Sequence, residues 1–252
     1  MLEVTVEVLL LLIAAGFLAG FVDAIAGGGG LITLPVLIIA GANPVTALAT
    51  NKIQAIFGAG TAALSYARGG HVNLREQWKS ALIAGVASIA GALLISYLPT
   101  DFIRIFLPIL LIGIAIFFAT KKGLGDQDRV RRMTPAMFAV TMVPLCGAYD
   151  GLLGPGAGSF YMLAFVSLAG YGVLKATAHT KLLNLASNSG ALLAFAFVAE
   201  PWWITGLIMG VAQIFGARLG AVLAQRIGAR LIKPLLVMTS LILAIKLLWD
   251  MV

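Results

Sequence analysis

Charged residues divide this chain into apolar stretches that are too long and too numerous for the core of a soluble globule. Runs with almost no charge lie at about 4–26, 31–42, 44–67, 80–99, 102–120, 134–153, 159–170, 173–198, 202–224 and 231–251. Crossing ~30 Å of hydrocarbon takes ~20 helical residues at ~1.5 Å each. Eight of the ten runs reach that length, whereas 31–42 and 159–170 would extend only ~18 Å and read as half-helices. Composition points the same way. The chain is 61% hydrophobic and 11% charged, against roughly 45–50% and about 25% in soluble domains, so too few polar side chains remain to wet a water-facing surface. The expected fold is an all-α polytopic membrane protein, with about eight membrane-spanning helices and two short broken or re-entrant half-helices.

Charge placement supplies an orientation. Of the 17 Lys and Arg, 11 fall in three loops: Arg68, Arg75 and Lys79; Lys121, Lys122, Arg129, Arg131 and Arg132; and Arg226, Arg230 and Lys233. Basic residues gather in short cytoplasmic loops, so these loops are expected inside and both termini outside, in the cell's inner (cytoplasmic) membrane. The opposite turns, near 98–101 and 199–203, carry acids and tryptophans. The net charge of +7 thus reads as topology and lipid contact, not as a nucleic-acid surface. Glu3 and Glu7 stand where a signal peptide would be basic, so none is expected. A lone cysteine, Cys146, excludes an intramolecular disulfide, and with only two histidines it cannot form a Cys/His zinc site. No metal or cofactor is expected.

The chain also repeats itself. Gly20 to Gly27 aligns with Gly147 to Gly154 at an offset of 127, and Ala47 to Lys52 aligns with Ala176 to Lys181 at 129. Gly85 to Ala92 then falls on Gly210 to Ala217, and Pro108 on Pro234. The implied organisation is a first repeat over 1–122, a cytoplasmic linker over 123–134 and a second repeat over 135–252. The basic loop 68–79 matches the acidic, tryptophan-bearing turn at 199–203, and the turn at 98–101 matches the basic loop 226–233, so the copies are expected to be inverted in the membrane. Inversion needs an odd number of crossings per copy, met either by five crossing segments or by three plus a re-entrant pair. Inverted repeats with glycine-interrupted segments at matching positions are the pattern of secondary transporters.

Two breaks carry the chemistry. The first copy reads Asp23-Ala-Ile-Ala-Gly27-Gly28-Gly29-Gly30-Leu-Ile-Thr33-Leu-Pro35, and the second repeats the break as Gly154-Pro155-Gly156-Ala157-Gly158-Ser159. Four adjacent glycines disfavour helix by roughly 0.5–1 kcal/mol each, and Pro155 removes a donor. Broken backbone survives at membrane depth only when buried in protein or lining a wet cavity. The half-helix after each break begins with unpaired N–H groups at the positive end of its dipole, which suits an anion. Tight helix packing through small residues is the competing explanation of the glycines, and it accounts for Gly85, Gly91, Gly210 and Gly216.

Asn43-Pro44 predicts a capped helix start that sets Lys52 about two turns in, with Lys181 its counterpart. An intramembrane lysine costs ~2.5–3.5 kcal/mol on insertion scales and therefore faces a partner or a cavity. Asp23 and Asp150 are the acids at comparable depth. Two readings stand. Asp23 pairs with Lys52 and Asp150 with Lys181 as structural ion pairs; or the lysines, with Asn51, Gln54, His179, Thr180 and Asn184, line an anion cavity while the aspartates take up a proton. His179 is either a relay group or a polar packing residue. Arg218, inside an apolar run, is expected to reach the interface by snorkelling.

The run Gly20-Phe-Val-Asp23-Ala-Ile-Ala-Gly27-Gly-Gly-Gly30 with Pro35 and Ala49-Thr50-Asn51-Lys52-Ile-Gln54, together with its degenerate second copy, resembles the sulfite exporter TauE/SafE family, also called toluene sulfonate uptake permeases. The resemblance covers essentially the whole chain. It implies an inner-membrane permease for sulfur-containing anions such as sulfite, sulfoacetate or related organosulfonates, and supports Gly27 to Gly30, Asn51, Lys52 and Gln54 as substrate-binding. The second copy departs from the pattern at Pro155 and Thr180. The candidate substrate-binding set is Gly27, Gly28, Gly29, Gly30, Thr33, Asn51, Lys52, Gln54, Gly156, Gly158, Ser159, His179, Thr180, Lys181 and Asn184.

No G-x-x-x-x-G-K-S/T motif is present, so an ATP-driven pump is not expected. The expected function is a secondary carrier working by alternating access, with proton coupling through Asp23 or Asp150 as one mode. An anion channel, or a permease for a different small organic anion, is the alternative. An enzyme is not expected, because neither a nucleophile–base pair nor a metal-ligand set is legible.

Overall fold

A computed structural model describes residues 3–94, 112–113, 116–117, 119–120 and 125–249, with backbone alone at 243–244 and 246–248. Among the described residues the chain is helical and without strands. The helices are α1 (Val6–Ala26), α2 (Gly30–Ile39), α3 (Pro44–Arg68), α4 (Leu74–Leu93), α5 (Pro135–Leu152), α6 (Ala157–Ala164), α7 (Val173–Val198), α8 (Trp203–Ile227) and α9 (Ala229–Trp249); a π turn, Phe165–Ala169, extends α6. The expected span over 102–120, the turn at 98–101, Pro108 and Lys121–Lys122 lie wholly or largely outside the described residues.

Three described helices, α1, α7 and α8, are both long and apolar enough to cross a membrane by themselves. Helix α3 is as long, at 25 residues, but carries Asn51, Lys52 and Gln54 on a buried face. Outward faces are apolar: Leu10, Leu18, Leu82, Val86, Phe197 and Phe215 are each more than half exposed. In a polytopic membrane protein such side chains meet lipid, where burial brings no hydrophobic gain.

Of the two sequence alternatives for the short segments, the structure shows re-entrant hairpins. Leu37, near the end of α2, packs with Leu12 and Val8 near the start of α1 and with Ala42, Ala47, Met209 and Trp202, so α2 returns to the end from which α1 began. The π turn after α6 returns likewise to the start of α5: the Arg132 and Met133 amides donate to the Leu168 carbonyl at 2.9 and 3.1 Å, and Phe165 lies 4.7 Å from Phe138 between ring centroids.

The helices before and after the linker interlock. Helix α4 packs on α5 and α7, α8 packs on α1 and α3, and α3 lies against α7. Small residues let these backbones touch. A Cβ on Gly151 would stand 1.9 Å from the Ser88 carbonyl oxygen and one on Gly216 would stand 2.0 Å from that of Phe17. Packing therefore explains Gly91 and Gly216, which the structure seats against Ala148 and Phe17.

The linker straps one end of the bundle. Asp126 accepts from the Leu174 amide at 3.1 Å and from the Ala229 amide at 3.0 and 3.1 Å, capping α7 and α9 together. Asp128 accepts from the Gly172 amide at 2.9 Å and pairs with Lys175 at 2.5 Å. Partial burial pushes the Asp128 carboxyl up, but the hydrogen bonds from Lys175 and Gly172 and the lysine's charge outweigh it and hold it below the usual carboxylate range. At the other end Glu3 accepts from the Ile204 and Thr205 amides at 3.2 and 3.3 Å, capping α8.

Two outcomes follow from the packing and the strap. Gly151→Ala and Gly216→Ala should each destabilise the protein by about 1–3 kcal/mol through overpacking, whereas Gly60→Ala, whose Cβ would meet only Leu185 at an ordinary 3.5 Å, should be neutral or stabilise α3 by about 0.5–1 kcal/mol; thermal unfolding in detergent reads both. A depressed carboxyl contributes stability above its unfolded pKa and loses it as pH falls through the folded pKa. Amide exchange at Gly172 should therefore accelerate on acidification below the usual carboxylate range, and Asp128→Asn should remove that acid-dependent step.

Candidate functional site

The two glycine breaks meet in the middle of the bundle. Helix α1 stops at Ala26 because Gly27 and Gly28 take φ of 81° and 94°, a left-handed conformation that residues with a Cβ rarely adopt. Helix α5 stops likewise before Gly154 and Gly156, at φ of 86° and 81°. The breaks are in backbone contact. A Cβ on Gly27 would lie 3.0 Å from both Cα and C of Gly158, and the Ser159 hydroxyl donates to the Ala26 carbonyl at 3.5 Å. Only glycine at both positions permits that approach.

Each break is held by a lysine from the other side of the linker. Lys52, fully buried, reaches Asp150: its Nζ donates to Oδ1 at 2.7 Å and to the backbone carbonyl at 2.6 Å. Lys181, 1% exposed, does the same to Asp23, donating to Oδ2 at 3.2 Å and to its backbone carbonyl. The sequence-based pairing is therefore corrected. Asp23 meets Lys181, not Lys52, and Asp150 meets Lys52, not Lys181. The reason is geometric: α3 and α7 lie side by side, so each lysine faces the break of the opposite hairpin. Each ammonium also sits at the last turn of a helix, Lys181 at that of α1 and Lys52 at that of α5, where the dipole is negative.

The carboxylates have further partners. Asp23 accepts from the Gly29 amide at 3.2 Å, at the start of α2, and Asp150 accepts from the Ser187 hydroxyl. The two pairs differ in access. The Asp150 side chain is 3% exposed, that of Asp23 is 21%.

Beside the pairs lies a polar cavity of about 30 Å³, lined by Asp23, Asn51, Asp150, Asn184, Asn188, Gln213 and the glycines at 28–30, 154, 156 and 158. That volume matches one water's share of the liquid. Asn51 accepts from Thr33 at 2.6 Å and from Gln54 at 3.2 Å, and Gln54 in turn accepts from Gln213 at 3.2 Å. The network thus runs from α2 through α3 to α8.

Of the candidate residues, the structure brings together Asp23, the breaks at 27–30 and 156–158, Ser159, Thr33, Asn51, Lys52, Gln54, Asp150, Lys181 and Asn184. It does not bring His179 or Thr180 into this cavity. The Thr180 hydroxyl is spent on the Ala176 carbonyl of its own helix at 2.8 Å. His179 lies against Tyr171 and Phe165, with centroids 4.8 and 5.6 Å away, and lines a different cavity. Sequence reasoning missed Gln213, Ser187 and Asn188. The signals were present: Asn184, Ser187 and Asn188 share the helical face of Lys181 at spacings of three and four, and Gln213 is a polar residue within an apolar run. Arg218 stands outside the site on the exposed face of α8.

A polytopic helical bundle with two re-entrant hairpins meeting at a buried, charged centre is the architecture of a membrane transporter. Comparison with known proteins gives the family. The sulfite exporter TauE/SafE profile matches residues 12–247, and the chain belongs to that family. It is 52% identical over 250 residues to the "Probable membrane transporter protein ORF9" of Sinorhizobium sp, covering 99% of this chain and 96% of that protein. It is 47% identical over 233 residues to the "Probable membrane transporter protein YfcA" of Escherichia coli strain K12, covering 92% and 87%. A "Probable membrane transporter protein" of Haemophilus influenzae is 39% identical over 249 residues, covering 99% and 98%. No solved structure matches.

The crossed pairing has a direct check. Removing one partner of a buried pair leaves an uncompensated charge and costs about 3–5 kcal/mol. Lys52→Met should therefore lower thermal stability in detergent, Asp150→Asn should restore most of it in the double variant, and Asp23→Asn should not; the reverse rescue pattern would return the pairing to Asp23–Lys52.

Proposed function

We propose that the protein is a secondary carrier of the inner membrane that moves small sulfur-containing anions, such as sulfite, sulfoacetate or related organosulfonates, by alternating access of two inverted repeats over 1–122 and 135–252. The observation that carries this reading is the pair of crossed Lys–Asp contacts at two touching helix breaks. Two buried ammonium groups and two half-helix starts converge there, in the midplane position where broken-helix transporters bind their cargo. The matched contacts α1–α8 with α4–α5, and α3–α8 with α4–α7, support the repeats. The basic loops support cytoplasmic placement of the linker and an outward placement of both termini. The sulfur-bearing character of the cargo rests on the family description.

Charge balance suggests the coupling. Each lysine is already neutralised by an aspartate, so an anion that binds a lysine leaves a buried carboxylate uncompensated unless it takes up a proton. Anion and proton therefore enter together, and Asp23, the more accessible carboxylate, is the one that water reaches. The cavity of about 30 Å³ is smaller than any organosulfonate, so loading requires the hairpins to part. A closed centre of this kind favours a carrier over a channel.

Proteoliposome transport tests the proposal. Saturable sulfite or sulfoacetate uptake should show counterflow, accelerate when the loading side is acidified, and persist as substrate exchange without pH response in Asp23→Asn. Uptake of a neutral or cationic solute alone, or flux unchanged in Lys52→Met/Lys181→Met, would overturn it.

A further inference from the structure

A second polar cavity, of about 230 Å³, opens at the end of the bundle that carries the basic loops, where α4, α5, the π turn and α7 come together. At about 30 Å³ per water it has room for roughly seven waters, which suits a small organic acid. One part of its lining is aromatic: Phe165 stacks on Tyr171 at 5.4 Å and 9°, with His179 tilted against both. The polar part includes Arg131 and Gln77.

Gln77 is the informative residue. It is 8% exposed, and its Nε2 donates to the His179 carbonyl at 3.0 Å. That bond fixes the amide, since the reversed orientation would set two oxygens against each other. Its Oε1 is then buried and has no hydrogen-bond partner, an arrangement native proteins avoid unless another group serves it. The charges around the cavity are Arg131 and Glu76 in its lining, and the Lys175–Asp128 pair beside Tyr171. Glu76 Oε1 already accepts from the Asn73 side-chain Nδ2 at 2.7 Å.

Among the described residues the matching position at the opposite end of the bundle is packed. There the Trp202 amide donates to the Thr50 hydroxyl at 2.9 Å, amid packed Leu12, Leu37, Ala42, Ala47 and Met209.

We propose that this cup is a docking site for a small organic acid that carries a hydrogen-bond donor a few bonds from its acid group. The acid group sits on the Arg131 guanidinium, the donor serves Gln77 Oε1, and the carbon chain between them lies on Phe165 and Tyr171. The proposal rests on the anion-carrier reading of the central site and adds to it a loading side, the face of the basic loops, and a selectivity for donor-bearing acids.

Calorimetric titration of the purified full-length protein with hydroxypropanesulfonate and propanesulfonate tests it. The hydroxyl compound should bind at least about tenfold more tightly, because a site that hydrogen-bonds a hydroxyl rejects the analogue lacking it. Arg131→Gln, on an exposed loop position, should weaken both, and Gln77→Met should abolish the preference while leaving propanesulfonate affinity nearly unchanged. Equal affinities for the two probes, or an Arg131→Gln isotherm identical to wild type, would overturn the cup. The two readings fail separately. Arg131-dependent binding without flux in proteoliposomes would leave the cup standing and remove the carrier, whereas flux whose KM ignores both Arg131→Gln and Gln77→Met would do the opposite.

Discussion

Two ion pairs in a low-dielectric centre organise this protein. A lysine buried to 0–1% exposure is tolerated there because a carboxylate and a backbone carbonyl at the negative end of a helix both receive it. The helix ends because of glycine, and the glycines do a second job by letting the two ends touch. Charge, helix break and backbone contact are thus mutually dependent: a methyl group at Gly27 would separate the hairpins, and separated hairpins would strand the lysines from their carboxylates.

The same arrangement explains why the halves interlock rather than stand side by side. Each lysine lies on a long helix of its own half and reaches a break in the other half, so α3 and α7 must run in contact. That contact places α4 and α8 outside them, against the far half's first helix. The small residues along α1, α4, α5 and α8 follow from this crowding, since apolar side chains gain nothing from one another in lipid and close backbone approach supplies the attraction instead.

Much of this was legible in the sequence because membrane solvation leaves little freedom. Long uncharged runs read as spans, paired glycine clusters as breaks against the competing packing explanation, and Asn43-Pro44 as a helix start; the structure has Asn43 accepting from the Thr46 amide at 2.9 Å as that last reading requires. The pairing of Asp23 and Asp150 was not legible. A local rule pairs charges within a hairpin, and only the three-dimensional adjacency of α3 and α7 reverses it. His179 misled for a similar reason: it neighbours Lys181 in sequence, but two residues are about 200° of rotation on a helix, so it faces away from the lysine's side of α7. Gln213 escaped because its role depends on α8 crossing α3, a contact between residues 159 apart in the chain.

The exchange of partners across the linker also bears on how the chain is made. Lys52 and Asp150 are 98 residues apart, and Asp23 and Lys181 are 158 apart. At ~5–20 residues per second, Lys52 waits roughly 5–20 s, and Asp23 roughly 8–30 s, before its partner leaves the ribosome. During that interval Lys52 and Asp23 have only each other as opposite charges at the centre, so the final pairing requires an exchange of partners once Asp150 and Lys181 have been made.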